Sequence, residues 1–192
     1  MEKKFELTDK FVFNTFGIKL FQIKCTKSFK YAKEGDLGGY VEKDENLDQE
    51  SDAWVYGDAW VSGDARVSGN AWVYGDAWVS GDARVSGNAW VSGDARVYGN
   101  ARVSGDAWVY GNADIENDNN HCGFDCFGSC NRHTHAYLTK DNKVEITCGC
   151  FRGSIEEFEK KVEGTHSGTI YEKQYKAIIN VIKIKFGLTD LI

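Results

Sequence analysis

Three thiols crowd one short stretch as Cys122-x3-Cys126-x3-Cys130, Cys148-x-Cys150 follows, and His121, His133 and His135 lie close by in sequence. Thiolate and imidazole are the ligands of tetrahedral zinc, and a stretch this poor in apolar residues would gain order from a structural ion. The spacings differ from the usual cysteines separated by two residues. Bound zinc, reduced thiols and a disulfide therefore all stand as readings, with reduced thiols the ordinary state of a cytosolic chain. Cys25 reads as a small buried apolar residue.

A second chemistry would be proton transfer. The only other histidine is His166, and none of the four falls within the repeated part of the chain. A general base must reach the hydroxyl or amine that it deprotonates. His121, just past the last repeat, is the one candidate for that role.

What positions these residues is a repeat. From Asp52 to Asn117 the chain reads as eleven consecutive hexads, each Asp or Asn, Ala, usually Trp or Arg, Val, Tyr or Ser, then Gly, as in Asp58-Ala59-Trp60-Val61-Ser62-Gly63. Only the last drifts, to Asn112-Ala113-Asp114-Ile115-Glu116-Asn117. A short fixed period marks a solenoid, in which each unit buries its apolar side chains against its neighbours. Three extended residues alternate outward, inward, outward, so Val points into the core, while Gly followed by Asp or Asn turns a corner. Three such sides predict a coil of eighteen residues.

The inward Val or Ile every sixth position, Gly two later, then Asp or Asn and Ala, resemble the bacterial transferase hexapeptide repeat. That family implies a triangular, left-handed parallel β-helix over residues 36–117, and its enzymes transfer acyl groups from coenzyme A with a general-base histidine on the helix. The lead-in from Ser28 to Asn46, with Gly35-Asp36-Leu37-Gly38-Gly39-Tyr40-Val41 at its centre, is similar to hexapeptide proteins of phages and prophages. Cys148-Gly149-Cys150-Phe151 ahead of a helix pair is similar to the C-terminal part of the same proteins.

With eighteen residues per lap, outward side chains fall into columns roughly 4.8 Å apart. One side carries Trp54, Trp72, Trp90 and Trp108 beside Tyr56, Tyr74, Ser92 and Tyr110. The next mixes Trp60, Trp78, Arg96 and Asp114, and the third carries Arg66, Arg84 and Arg102 beside serines. An aromatic column is either a ladder that stabilises itself or an apolar patch for a partner or a second copy of the chain. The arginines need carboxylates or a bound anion between them; the corner acids Asp64 and Asp82 are the expected neighbours.

Around the repeat, residues 1–35 read as an N-terminal β cap, with strands at Phe11-Val12-Phe13 and Ile18–Ile23 across a turn. Residues 118–134 read as a Cys-, Asn- and Gly-rich loop, and 135–192 as a ββαα unit. Its first helix opens at the capping box Ser154–Glu157 and stops at Gly164; its second runs from Ile170 to about Phe186. This small tail is expected to cover the other end of the rod.

Charge and hydropathy narrow the function. Acidic residues number ten against nine basic in residues 1–51, nine against four in the hexads, and ten against ten afterwards. Nucleic-acid binders show a basic footprint that this chain lacks. With no signal-peptide core and no bilayer-length apolar run, a cytoplasmic location is expected. The expected function is a non-catalytic binding protein presenting aromatic and arginine faces, by analogy a phage-encoded inhibitor of a bacterial defence protein, self-associating through the aromatic side. The alternatives are an acyltransferase using acetyl-coenzyme A, a nucleotide or anion sponge, and a purely structural assembly protein.

Overall fold

The computed structural model describes residues 3–188. It comprises two compact units, Met1–Asn117 and Asp118–Ile192.

The first unit opens with an antiparallel hairpin, β1 (Phe5–Phe13) and β2 (Lys19–Cys25). Its turn is tied by Asn14, whose Oδ1 accepts from the N–H groups of Phe16 and Ile18. Strand β2 pairs antiparallel with β3 (Leu37–Val41). A 3-10 turn at Asp44–Asn46 follows.

The hexads then supply eleven two-residue strands: β4 (Trp54–Val55), β5 (Trp60–Val61), β6 (Arg66–Val67), β7 (Trp72–Val73), β8 (Trp78–Val79), β9 (Arg84–Val85), β10 (Trp90–Val91), β11 (Arg96–Val97), β12 (Arg102–Val103), β13 (Trp108–Val109) and β14 (Asp114–Ile115). Every third strand joins the same sheet, so the orders are β1-β2-β3-β5-β8-β11-β14, β13-β10-β7-β4 and β12-β9-β6. The result is a parallel β-solenoid of about four turns. Pairings such as Trp54↔Trp72 and Arg66↔Arg84 carry the eighteen-residue register.

The Ala and Val of each hexad are buried, which accounts for the period. Each buried Val contributes about 1.5–3 kcal/mol relative to exposure. Trp72 N–H donates to Ala89 O at 2.9 Å and Tyr74 N–H to Val91 O at 3.0 Å, and this pattern links lap to lap. At the corners glycine packs on glycine: a Cβ on Gly87 would lie 2.8 Å from the backbone nitrogen of Gly105. Beside that stack, Asn70 Nδ2 donates to Asn88 Oδ1 at 2.9 Å, and Asn88 Nδ2 donates to Asp106 Oδ1 at 2.8 Å.

The hairpin continues one solenoid sheet through β3, so the first lap of that sheet has a paired edge. Unpaired strand edges recruit other chains, and this pairing shields the first coil by moving the sheet's edge out to β1. The cap is also anchored through Lys4, which is buried and donates from Nζ to Ser51 O at 2.7 Å and to Ala53 O at 2.8 Å.

The second unit is an antiparallel four-stranded meander, β15 (His121–Phe127), β16 (Arg132–Leu138), β17 (Val144–Cys148) and β18 (Phe151–Ser154). Two helices follow, α1 (Ile155–His166) and α2 (Ile170–Lys185). The stretch 118–134, expected as a loop, is therefore largely strand: β15 pairs with β16 from His121↔Tyr137 to Phe127↔Arg132. Backbone pairing tolerates the Asn, Gly and Cys that suggested a loop, and the unit is ββββαα rather than ββαα.

The capping box forms as expected, Ser154 Oγ accepting from Glu157 N–H while Glu157 Oε2 accepts from Ser154 N–H. Gly164 does not stop α1, which runs on to His166. The sheet face of Ala136, Val144, Ile146 and Cys148 packs on Ile155, Phe158 and Val162 of α1 and Tyr175, Ile178, Ile179 and Ile182 of α2. Among the described residues no helix is long and apolar enough to cross a membrane.

Candidate functional site

Trp54, Trp72, Trp90 and Trp108 stand in one column on consecutive strands of the β13-β10-β7-β4 sheet. The column is not uniformly open. Trp54, expected on the surface, is 0% exposed, covered edge-on by Phe29 at 5.3 Å and Phe5 at 6.4 Å. Tyr31 lies flat on Trp72, 5.3 Å away and inclined by 12°. The N-terminal cap thus occupies the top of the aromatic side, because Phe5, Phe29 and Tyr31 bury themselves there.

Below the cap the column opens. Trp90 meets Trp72 edge-on, and Trp90 and Trp108 stack at 5.3 Å with an 11° tilt. Tyr74 packs near Trp72 and Trp90. Trp108 and Tyr110 are each 44% exposed, and at the other end Tyr56, beside buried Trp54 in the first lap, is 52% exposed.

A second aromatic cluster lies on the neighbouring sheet. Trp60 and Trp78 are 4.7 Å apart, and the Arg96 guanidinium sits 4.8 Å over Trp78. Phe16, from the turn of the cap hairpin, stacks on Trp78 at 5.6 Å. Phe16 was not among the expected site residues. The exposed run Phe11-Val12-Phe13 just before it is the sequence signal that this hairpin presents apolar side chains.

Arg66, Arg84 and Arg102 form an exposed column on the third sheet. Asp64, expected beside Arg66, makes its main bond elsewhere, and the Arg66 charge is the smaller influence on its carboxyl. Asp64 instead accepts from Lys43 Nζ at 2.7 Å, and that bond holds its carboxyl below the usual carboxylate range. Arg66 and Arg84 line a cleft of about 650 Å³ whose lining also includes Asp44, Glu45, Asp48 and Glu50. An incoming polyphosphate would meet those four carboxylates as well as the two guanidiniums.

In the second unit, His121 Nδ1 and His135 Nε2 lie 3.0 Å apart, and His133 Nδ1 meets Asp125 Oδ1 at 2.5 Å. Burial lowers the pKa of His121. All six cysteines are free. Burial pushes the Cys122 thiol up to about 11. Cys126, Cys130 and Cys150 are exposed, while buried Cys148 accepts from Thr134 Oγ1 at 3.3 Å. Among the described residues no group of three or more His, Cys, Asp or Glu side chains is arranged to hold a metal ion. Of the cysteines expected as ligands, Cys130, Cys148 and Cys150 line one cavity, and Cys122 and Cys126 are not part of its lining.

Fold and faces together define a β-solenoid repeat protein. The family model of the YdcK beta solenoid repeat matches residues 59–75, 65–81, 77–93 and 95–111, all within the coils. No curated protein matches the chain.

Proposed function

We propose that the chain is a non-catalytic protein-binding module, and that its contact surface is the solvent-facing part of the aromatic side: Trp90, Trp108, Tyr74 and Tyr110 below the cap, with Tyr56 beside Trp54 in the first lap. The observation that carries this reading is the contrast in exposure within one column: Trp54 is 0% exposed beneath Phe5 and Phe29, whereas Trp108, three laps on, is 44% exposed. Aromatic side chains at that foot are the kind that dominate interface energies. A surface built on short, mutually bonded strands is preorganised and loses little entropy on docking.

Finer features belong to the same proposal. The coil is a triangular hexapeptide helix, a reading supported by the eighteen-residue register and the Gly-Asp and Gly-Asn corners, and its left hand is what the resemblance to the transferase hexapeptide repeat implies. The resemblance to phage and prophage hexapeptide proteins supports a bacterial defence protein as the partner. An acyltransferase is disfavoured because its one candidate base, His121, belongs to β15 with Nδ1 already against His135. A nucleotide sponge is disfavoured by the carboxylates that line the same cleft as Arg66 and Arg84.

The test is capture from bacterial lysate with the immobilised full chain and a Trp90→Ser/Trp108→Ser variant, both checked by circular dichroism, with light scattering on each. A bound host protein that the folded variant releases is the expected result. A variant that keeps every partner removes the aromatic column from the account, and a mass that halves in the variant assigns the face to self-association instead. Turnover of acetyl-coenzyme A that is abolished in His121→Ala would overturn the non-catalytic reading.

A further inference from the structure

The second unit contains a cavity of about 220 Å³ lined by that unit's own residues. It lies where the turn after β15, the tight turn between β17 and β18, and one face of α1 come together. Its apolar lining comes from Phe151, Phe158, Val162 and the ring of Tyr175. Phe158 packs 5.0 Å from Phe151 and edge-on to Tyr175 at 5.6 Å, so these rings form a fixed wall.

The charged lining has one sign. Arg132 and Lys161 contribute to it, and among the described residues no Asp or Glu does; His166 lines the same cavity. Nearby carboxylates are engaged elsewhere: Glu145 with Arg152, Glu159 with Lys183 at 2.7 Å, and Glu163 with Lys176 at 3.3 Å. Among the described residues neither Arg132 nor Lys161 makes an ion pair. Tyr175 adds a hydroxyl, buried beside Cys148 Sγ at 3.8 Å. Burial pushes its pKa up to about 12, so it remains a hydrogen-bond donor at neutral pH.

An apolar wall under unpaired cations fits one kind of occupant. We infer that this cavity is a binding site for a small organic monoanion, an aryl carboxylate whose ring lies against Phe151, Phe158 and Val162 and whose carboxylate meets Arg132 and Lys161. Size limits the class. Sites for drug-sized ligands span about 300–1,000 Å³, so this smaller cavity takes a compound of roughly ten non-hydrogen atoms. A guanidinium is suited to a carboxylate because its planar fork can donate two parallel hydrogen bonds. The thiols of Cys130 and Cys150 line the same cavity and are exposed, which makes them reporters of its occupancy.

The experiment uses the full reduced chain. Phenylacetate, its neutral analogue phenylacetamide and inorganic phosphate are titrated separately by calorimetry. In parallel, alkylation of Cys130 and Cys150 by iodoacetamide is followed by mass spectrometry with and without each compound. The expected results are saturable binding of phenylacetate, at least tenfold weaker binding of the amide and of phosphate, and several-fold slower alkylation of both cysteines in phenylacetate. An Arg132→Gln/Lys161→Gln variant should bind phenylacetate at least tenfold more weakly.

Equal binding of acid and amide would remove the cations from the site, and phosphate binding as tightly as phenylacetate would remove the apolar wall. No binding of phenylacetate at millimolar concentration overturns the inference. Alkylation is read on the wild-type chain alone, so unchanged rates in phenylacetate count against the site even where the double variant misfolds.

Discussion

Trp54 and Trp108 occupy equivalent places in the repeat, yet one is a core residue and the other a surface residue. Trp54→Ala should therefore cost about 3–5 kcal/mol, as large-to-small changes at fully buried aromatics do. Trp108→Ala should cost under about 1 kcal/mol, chiefly its stacking on Trp90. Urea unfolding of the two variants measures the difference. The sequence could place both residues in one column because that follows from counting eighteen. It could not reveal the cover, because Phe5, Phe29 and Tyr31 reach Trp54 and Trp72 only through tertiary docking. The same holds for Asp64, whose neighbour in sequence is Arg66 but whose partner is Lys43. His121 carries a pH prediction. Its folded pKa lies below the ordinary 6.5, chiefly through burial, so the unfolded chain takes up the proton first. The stability it contributes is complete above about 6.5 and is lost as pH falls through the folded pKa. Unfolding midpoints at pH 7.5 and 5.5 should fall further for the wild type than for His121→Gln.

At the scale of elements, the corners are where the hexad is least tolerant. Gly87 and Gly105 both have φ +69°, but a Cβ on Gly87 would meet the next corner's backbone, whereas one on Gly105 would meet nothing within 4 Å. Left-handed backbone costs a non-glycine residue about 1–3 kcal/mol, so Gly105→Ala should fall in that range. Gly87→Ala should exceed it, because the corner must also spread, and thermal unfolding of both variants would show the order. These strands were legible because Ala, Val and Gly recur at fixed places in every hexad. Strand β15 was not, since Asn, Gly and Cys dominate its neighbourhood. Its signal was the alternation of Cys122 and Phe124, packed against the core, with His121, Gly123 and Asp125 on the other side of the strand. Two polar side chains and a glycine in alternation with Cys122 and Phe124 were outweighed by composition.

At the scale of the whole molecule, column identity depends on counting by eighteen, and removing residues tests it directly. Deleting Asn70–Gly87 excises one lap and leaves every later residue in its own column, so the shortened chain should fold and retain β-sheet circular dichroism. Deleting only Asp82–Gly87 shifts all later residues by one side, which brings Trp90 beneath Arg66 and puts the aromatic residues out of line. That variant should lose the partner captured by wild type even where it folds, whereas the full-lap deletion should keep it. Retention by both variants would show that binding does not depend on columnar alignment.

The side-chain relay from Asn70 through Asn88 to Asp106 also has a direction. An amide can accept from one neighbour and donate to the next, but an ionised carboxylate has no hydrogen to pass along. Asp106 is thus a full stop. New laps bearing Asn at this corner can be written in upstream of it and keep the order of donation, whereas an Asn on a lap appended downstream would have to donate back into the same carboxylate. The grammar of this corner reads forwards on one side of Asp106 and backwards on the other.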